Sequence, residues 1–148
     1  MTTPAQRALP MLPCACANLR RAARAVTRFY NGQLQPHGIE VTQHTLLMTL
    51  HQTGEISQGK LGNLLALDST SLTRMLKPLM KRGWIKVRAG DDRRHRFLRL
   101  TASGREKLEQ SRPRWEEAQR RLQQGLGEPA WTQMGELLAE VTRASGAA

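Results

Sequence analysis

The chain has 148 residues, about one domain, and 39% apolar content with three Trp, two Phe and one Tyr, a thin core for a lone compact unit that favours a core shared between two copies. Lys and Arg outnumber Asp and Glu by 23 to 12, a net charge of +11, which points to a polyanionic partner. No run of about eighteen apolar residues exists, so no membrane-spanning helix is expected.

Residues 1–13 hold three prolines and no periodicity and read as a flexible arm without an apolar signal segment, so a cytoplasmic location is expected. Over 14–34, Leu19, Ala22, Ala23, Val26, Phe29, Tyr30 and Leu34 recur every three or four positions, one stripe on a long helix. Gln35-Pro-His-Gly38 ends it. Thr42 is the expected N-cap of a second helix carrying Leu46, Leu47 and Leu50 and closing at Gly54. Ser57 caps a short third helix with Leu61, Leu64 and Leu65 inward. Asp68 caps a fourth over 69–82, burying Leu72, Met75, Leu76 and Leu79. Pro78 should distort its last turns, and Gly83 suits the residue just past its end. Trp84-Ile-Lys-Val-Arg88 and Phe97-Leu-Arg-Leu100 alternate like two strands around a turn at Ala89-Gly-Asp-Asp92. From Ala102, Leu108, Trp115, Leu122 and Leu126 mark a helix that Pro113 should bend or split. Gly127-Glu-Pro129 stops it and starts a last helix with Trp131, Met134, Leu137, Leu138 and Val141.

Charge is not spread evenly along this order. Residues 57–101 hold eleven basic and three acidic side chains, a net of +8, whereas residues 102–148 balance seven against seven. The excess therefore sits on a helix, helix, hairpin segment. In such a unit the second helix offers its N-terminal residues to DNA bases and phosphates. With Leu72, Met75 and Leu76 inward, Ser69, Thr70, Ser71, Thr73, Arg74 and Lys77 are left for the outer face. Hydroxyls suit bases or phosphates, and Arg74 can fork onto a guanine edge. A plain amphipathic surface helix would look the same over this stretch alone. The hairpin adds Arg93, Arg94, His95 and Arg96, compact positive charge for a narrow minor groove, with Asp91 and Asp92 expected to brace an arginine and shape the turn. Lys60, Lys77, Lys81 and Lys86 are candidates for phosphate contacts.

Leu61-(x)2-Leu64-Leu-Ala-Leu-Asp-Ser-Thr-Ser-Leu-Thr-Arg74, then Leu79-(x)3-Gly83-Trp-Ile85, then Asp91-Asp-Arg-Arg94 closing on Leu98-Arg-Leu-Thr-(x)2-Gly104, resembles the MarR family of bacterial transcription regulators. The resemblance covers about residues 14–144. It implies a mainly α fold with a small β-hairpin wing: a winged helix-turn-helix over 37–101, flanked by dimerisation helices over 14–36 and 102–148. It further implies a homodimer on a pseudo-palindromic double-stranded DNA operator, usually a repressor. The recognition-helix positions of the family fall on residues 69–77, and its wing Asp-x-Arg on Asp92 and Arg94. Gly62 and Asn63 depart from the more usual helix formers, and Pro78 lies late in the recognition helix.

Cys14 and Cys16 are too close for an ordinary structural disulfide. The organic-hydroperoxide sensors within the family carry one reactive cysteine near this helix start, which makes Cys16, with Cys14 and Tyr30, a candidate redox site; a second expected tyrosine is replaced by Arg20. A structural role as small hydrophobes and capture of a metal by the pair stay open. Within a helix the two would point about 200° apart, which disfavours chelation. His44 and His51, seven residues and ~10 Å apart along one face, are too far apart to share a metal and are expected to be partly exposed or to line a pocket. No catalytic constellation is visible, so neither an enzyme nor a cofactor is expected, a thiol peroxidase on Cys16 lacking any companion histidine motif. Two alternatives remain: a sequence-neutral nucleic-acid binder, and a regulator answering a small aromatic ligand between the dimer and DNA-binding regions.

Overall fold

The computed structural model describes residues 10–92 and 94–146. The order is α1 (Ala15–Leu34), a 3-10 turn (Gln35–His37), α2 (Val41–Thr53), β1 (Ile56–Ser57), α3 (Gln58–Leu64), α4 (Ser69–Lys81), β2 (Ile85–Ala89), β3 (Arg96–Leu100), α5 (Ala102–Leu126) and α6 (Glu128–Ala144). The three strands form one antiparallel sheet in the order β1-β3-β2, with Ile56 opposite Leu98 and Val87 opposite that same residue on the other side. This is a winged helix-turn-helix with long helices at both ends.

The core forms where α2, α3, α4 and the sheet meet α1 and α5. Leu34, Leu46, Leu47, Leu50, Leu61, Leu72, Leu76, Leu79, Leu98 and Leu108 are all buried in it. Leucine supplies most of the volume, beside Ile39, Ile85 and Trp84, so dispersion and apolar burial of aliphatic side chains are the main forces holding the unit together.

Several local expectations change. Thr42 is exposed and caps nothing; the N-cap of α2 is Glu40, whose carboxylate and the Gln43 side chain close a reciprocal capping box. Glu40 starts the helix two residues early because a carboxylate reaches the third helical N–H better than the threonine could from inside the first turn. Leu64 is 58% exposed rather than inward, because α3 lasts only seven residues and turns that position away from the core. Pro113 does not split α5, which runs unbroken for 25 residues. A proline removes one helical donor, and packing of both flanking segments against α1 and α2 holds the axis through that loss. Pro78 likewise leaves α4 continuous to Lys81. The strand β1 is absent from the sequence reading, since two residues carry no alternation to detect.

Two turns frame α4. Before it, Ala66 (φ 51°) sits in the left-handed region, with Leu67 N–H donating to the Gly62 carbonyl and Ala66 N–H to that of Asn63. After it, Gly83 (φ 70°) repeats the pattern, with Trp84 N–H donating to the Leu79 carbonyl and Gly83 N–H to that of Met80. Both are Schellman closures, which satisfy the last carbonyls of a helix while reversing the chain. Gly62 now has a reason: a Cβ there would lie 3.1 Å from the Leu67 carbonyl oxygen and 3.5 Å from Leu72.

Candidate nucleic-acid interface

The outer face of α4 starts at its cap. Asp68 Oδ1 accepts the Ser71 N–H at 2.8 Å, and Oδ2 accepts the Ser71 hydroxyl at 2.6 Å. These bonds hold the Asp68 carboxyl below its usual pKa. They also spend the Ser71 proton, so that half-buried side chain keeps only acceptor capacity for an outside partner. Ser69, Thr70, Thr73, Arg74 and Lys77 are exposed, while Leu72, Leu76 and Leu79 are buried and Met75 half-buried on the opposite face.

The wing stands beside this helix. Thr73 of α4 and Arg96 of β3 line one narrow cleft, together with Gln58, Leu76, Met80 and Val87. On the other side of the wing, His95 and Phe97 share a cleft with Lys60, Glu55 and Thr53. Arg94, in the turn, and Arg96, where β3 leaves it opposite Ala89, are both exposed at the tip end of the hairpin; Arg93 lies outside the described residues. Lys60, Lys77, Lys81 and Lys86 are all exposed as well.

Asp92 braces the turn in a different way from the one expected. Its Oδ1 accepts the Arg94 backbone N–H at 2.9 Å, its carbonyl accepts the His95 N–H at 2.9 Å, and its Oδ2 lies 3.7 Å from His95 Nδ1. The carboxylate thus shapes the backbone and leaves the Arg94 guanidinium pointing to solvent, among the described residues without an ionic partner. The arginine that is braced is Arg88, further down the strand. It is ion-paired with Glu55 and stacks over Phe97 at 4.7 Å, and the pairing keeps the Glu55 carboxyl below its usual range. Sequence reading missed this tie because 33 positions separate the partners.

The wing root is equally fixed. Thr101 donates its hydroxyl to the Gly83 carbonyl at 2.7 Å and caps α5 by accepting the Gly104 N–H at 3.0 Å. At Gly104 a Cβ would sit 2.0 Å from the Trp84 carbonyl oxygen. Arg82 and Lys107 lie over the Trp84 ring at 4.7 and 5.5 Å.

The MarR family model matches residues 39–95, which hold both helices and most of the hairpin. The crystal structure of the M. tuberculosis transcriptional regulator MosR in complex with DNA superposes with a TM-score of 0.83 at 30% identity, over 90% of this chain and 97% of that one. The chain belongs to the MarR family. Among curated relatives of this MarR-family chain, the multiple antibiotic resistance protein MarR of Salmonella typhimurium is 34% identical over 88 residues, 59% of this chain and 61% of that protein. The uncharacterized HTH-type transcriptional regulator YwoH of Bacillus subtilis is 29% identical over 92 residues, 62% of this chain and 67% of that protein. The chain spans from about half to two thirds of the length of the first curated relatives it matches.

Outside the interface, Cys14 is the N-cap of α1 and Cys16 lies in its first turn; both thiols are free and exposed. Residues 10–13 are fastened to this end, Asn18 pairing with both backbone groups of Leu12 and Arg21 donating to the Pro10 carbonyl. Tyr30 is buried, bonds Gln119 of α5 through its hydroxyl and meets Phe29 edge-to-face at 5.7 Å. Fourteen residues of helix put it about 21 Å from Cys16 within one chain, so only a second copy could bring a Tyr30 hydroxyl to the thiol. His44 corrects its expectation: it is fully buried, because the α2–α5 seam closes over it. His51 is exposed. No helix among the described residues is long and apolar enough to cross a membrane.

Proposed function

We propose that this protein is a sequence-specific transcription regulator that binds a pseudo-palindromic DNA operator as a homodimer, with repression as its action. One observation carries the reading: an exposed α4 face of hydroxyls and cations lies against a wing whose Arg94 and Arg96 project with no carboxylate partner among the described residues. Ser69, Thr70, Thr73 and Arg74 would meet base edges in the major groove, Lys77 would meet phosphate, and Arg94 and Arg96, with Arg93, would hold the minor groove. Ser71 would take part only as an acceptor, while Asp92 would keep the hairpin in shape.

Dimerisation is supported by what each chain leaves uncovered. Leu34 and Leu108 are consumed inside the chain, whereas Leu19, Val26, Leu126, Leu137, Leu138 and Val141 on α1, α5 and α6 stay well exposed. Apolar side chains of that size repeated along terminal helices suit burial against a second copy.

Competition binding tests the reading. At physiological salt a selected operator should outcompete random duplex DNA by about a thousandfold or more. Arg94→Ala should weaken operator binding by about 1 kcal/mol or more, the worth of one groove contact. A specificity ratio near one would leave only sequence-neutral binding, and unchanged affinity would remove the wing. The exposed thiols support release by oxidation as the regulatory step: peroxide should lower operator affinity, reductant should restore it, and Cys16→Ser should abolish the response. Release that persists in Cys16→Ser would leave that thiol structural.

A further inference from the structure

Thr73 stands in the second turn of α4, exposed on the outer face. Four helical threonines, though not all of them, spend their hydroxyl proton on the carbonyl four residues back: Thr45 on Val41, Thr49 on Thr45, Thr53 on Thr49 and Thr142 on Leu138, at 2.8 to 3.0 Å. Thr73 does not. Its Oγ1 accepts a hydrogen bond from Gln58 Nε2 at 3.1 Å, and among the described residues its own proton has no acceptor.

Gln58 is the first residue of α3, directly after the Ser57 cap. It is half-buried, and its amide reaches the Thr73 hydroxyl of α4 within the cleft that both line together with Arg96. An unconstrained threonine hydroxyl donates or accepts as its partner demands, and so distinguishes bases poorly. An amide N–H aimed at the oxygen removes the orientation in which the proton points into the cleft. The proton is then left for whatever lies outside.

We propose that Gln58 is a positioning residue that presents Thr73 to DNA as a hydrogen-bond donor, so that the operator carries a keto base, guanine or thymine, at the position facing Thr73. At the exocyclic position of the major-groove edge guanine O6 and thymine O4 accept, whereas the amino groups of cytosine and adenine meet the hydroxyl proton head-on, the N7 acceptor being common to both purines. The inference rests on the DNA-binding reading above and adds to it the chemical class of one base and the residue that selects it.

The test begins with the full-length protein and a random duplex library, from which the wild type selects its operator. Affinities are then measured with each of the four bases at every operator position for wild type, Thr73→Val, Gln58→Leu and Gln58→Glu. Wild type should prefer keto over amino bases by roughly tenfold at one position in each half-site, the worth of a single good base contact. Thr73→Val should remove that preference. Gln58→Leu should relax it at the same position and nowhere else, and combining it with Thr73→Val should cost nothing further. Gln58→Glu, whose carboxylate accepts the Thr73 proton, should erase or invert it on top of a uniform loss from the added negative charge.

An amino preference at that position would overturn the proposal. So would a keto preference that survives in both Gln58 variants, or a Gln58→Leu loss spread equally over all positions. Equal thermal unfolding of the variants separates base selection from damage to α3, because Ser57 and not Gln58 caps that helix. A wild type that enriches no sequence from the library would instead bring down the parent reading.

Discussion

Acid should weaken this fold through His44. The ring is 1% exposed, stacked on Trp115 with centroids 5.5 Å apart, and its Nδ1 lies 2.9 Å from the Ser111 hydroxyl. That hydroxyl has one proton and sits 2.9 Å from the Lys107 carbonyl oxygen and 3.1 Å from that of Leu108. It donates to the backbone, so His44 Nδ1 carries the hydrogen and donates to Ser111, which leaves Nε2 to take a second proton. Burial of the ring, with the nearby positive charge of Arg112 adding to it, lowers the His44 pKa from 6.5 to about 4. In the unfolded chain the same ring titrates near its ordinary value. Between these pKa values the unfolded chain binds the extra proton, so stability is complete above about pH 6.5 and drains away as the pH falls toward 4. The full shift is worth about 3 kcal/mol, of which about 2 kcal/mol is lost by pH 5, a large share of the usual 5–15 kcal/mol of a domain. Urea unfolding at pH 7.5, 6 and 5, at one fixed protein concentration, should show wild type losing about 2 kcal/mol more than His44→Leu over that range. Parallel losses in the two proteins would refute the assignment.

Gly104→Ala should lower stability by about 2 kcal/mol or more, since a methyl 2.0 Å from the Trp84 carbonyl forces two backbone segments apart. A melting temperature equal to wild type would contradict the packing of the wing root. Ala66→Gly should raise stability by about 0.5–1 kcal/mol, as relief of the left-handed strain exceeds the entropy glycine adds to the unfolded chain. Chemical denaturation reads this directly, and a destabilised variant would mean that the alanine methyl contributes packing at the turn. Lys77→Ala should weaken binding to operator and random DNA alike and reduce the slope of log affinity against log salt by about one. An unchanged slope would take Lys77 out of the phosphate contacts.

The local grammar of the centre was legible in the sequence. Ser57 and Asp68 cap α3 and α4 as their side-chain chemistry dictates, Gly83 closes α4, and the alternation read over 84–88 and 97–100 becomes two paired strands, their bounds moved by one residue to 85–89 and 96–100. What escaped were relations between positions distant along the chain. Nothing near Glu55 announces Arg88, nothing near His44 announces Ser111, and Gln58 looks like an ordinary first-turn residue until α4 crosses it. Leu64 failed for the same reason, because a seven-residue helix has too few turns for its period to define an inward face.

The sequence by itself determined the order of the helices and the hairpin, the caps of α3 and α4 and the concentration of +8 in residues 57–101, because these follow from neighbours within a few residues and from charge that needs no fold to be counted. Tertiary structure decided which of those groups remain available. It spent the Ser71 proton on Asp68, paired Arg88 with Glu55, turned Asp92 to the backbone and left Arg94, Arg96 and the Thr73 proton facing outward. A hydrogen bond forms only between groups that packing brings within about 3 Å, and that distance is a property of helices crossing rather than of residues in a row.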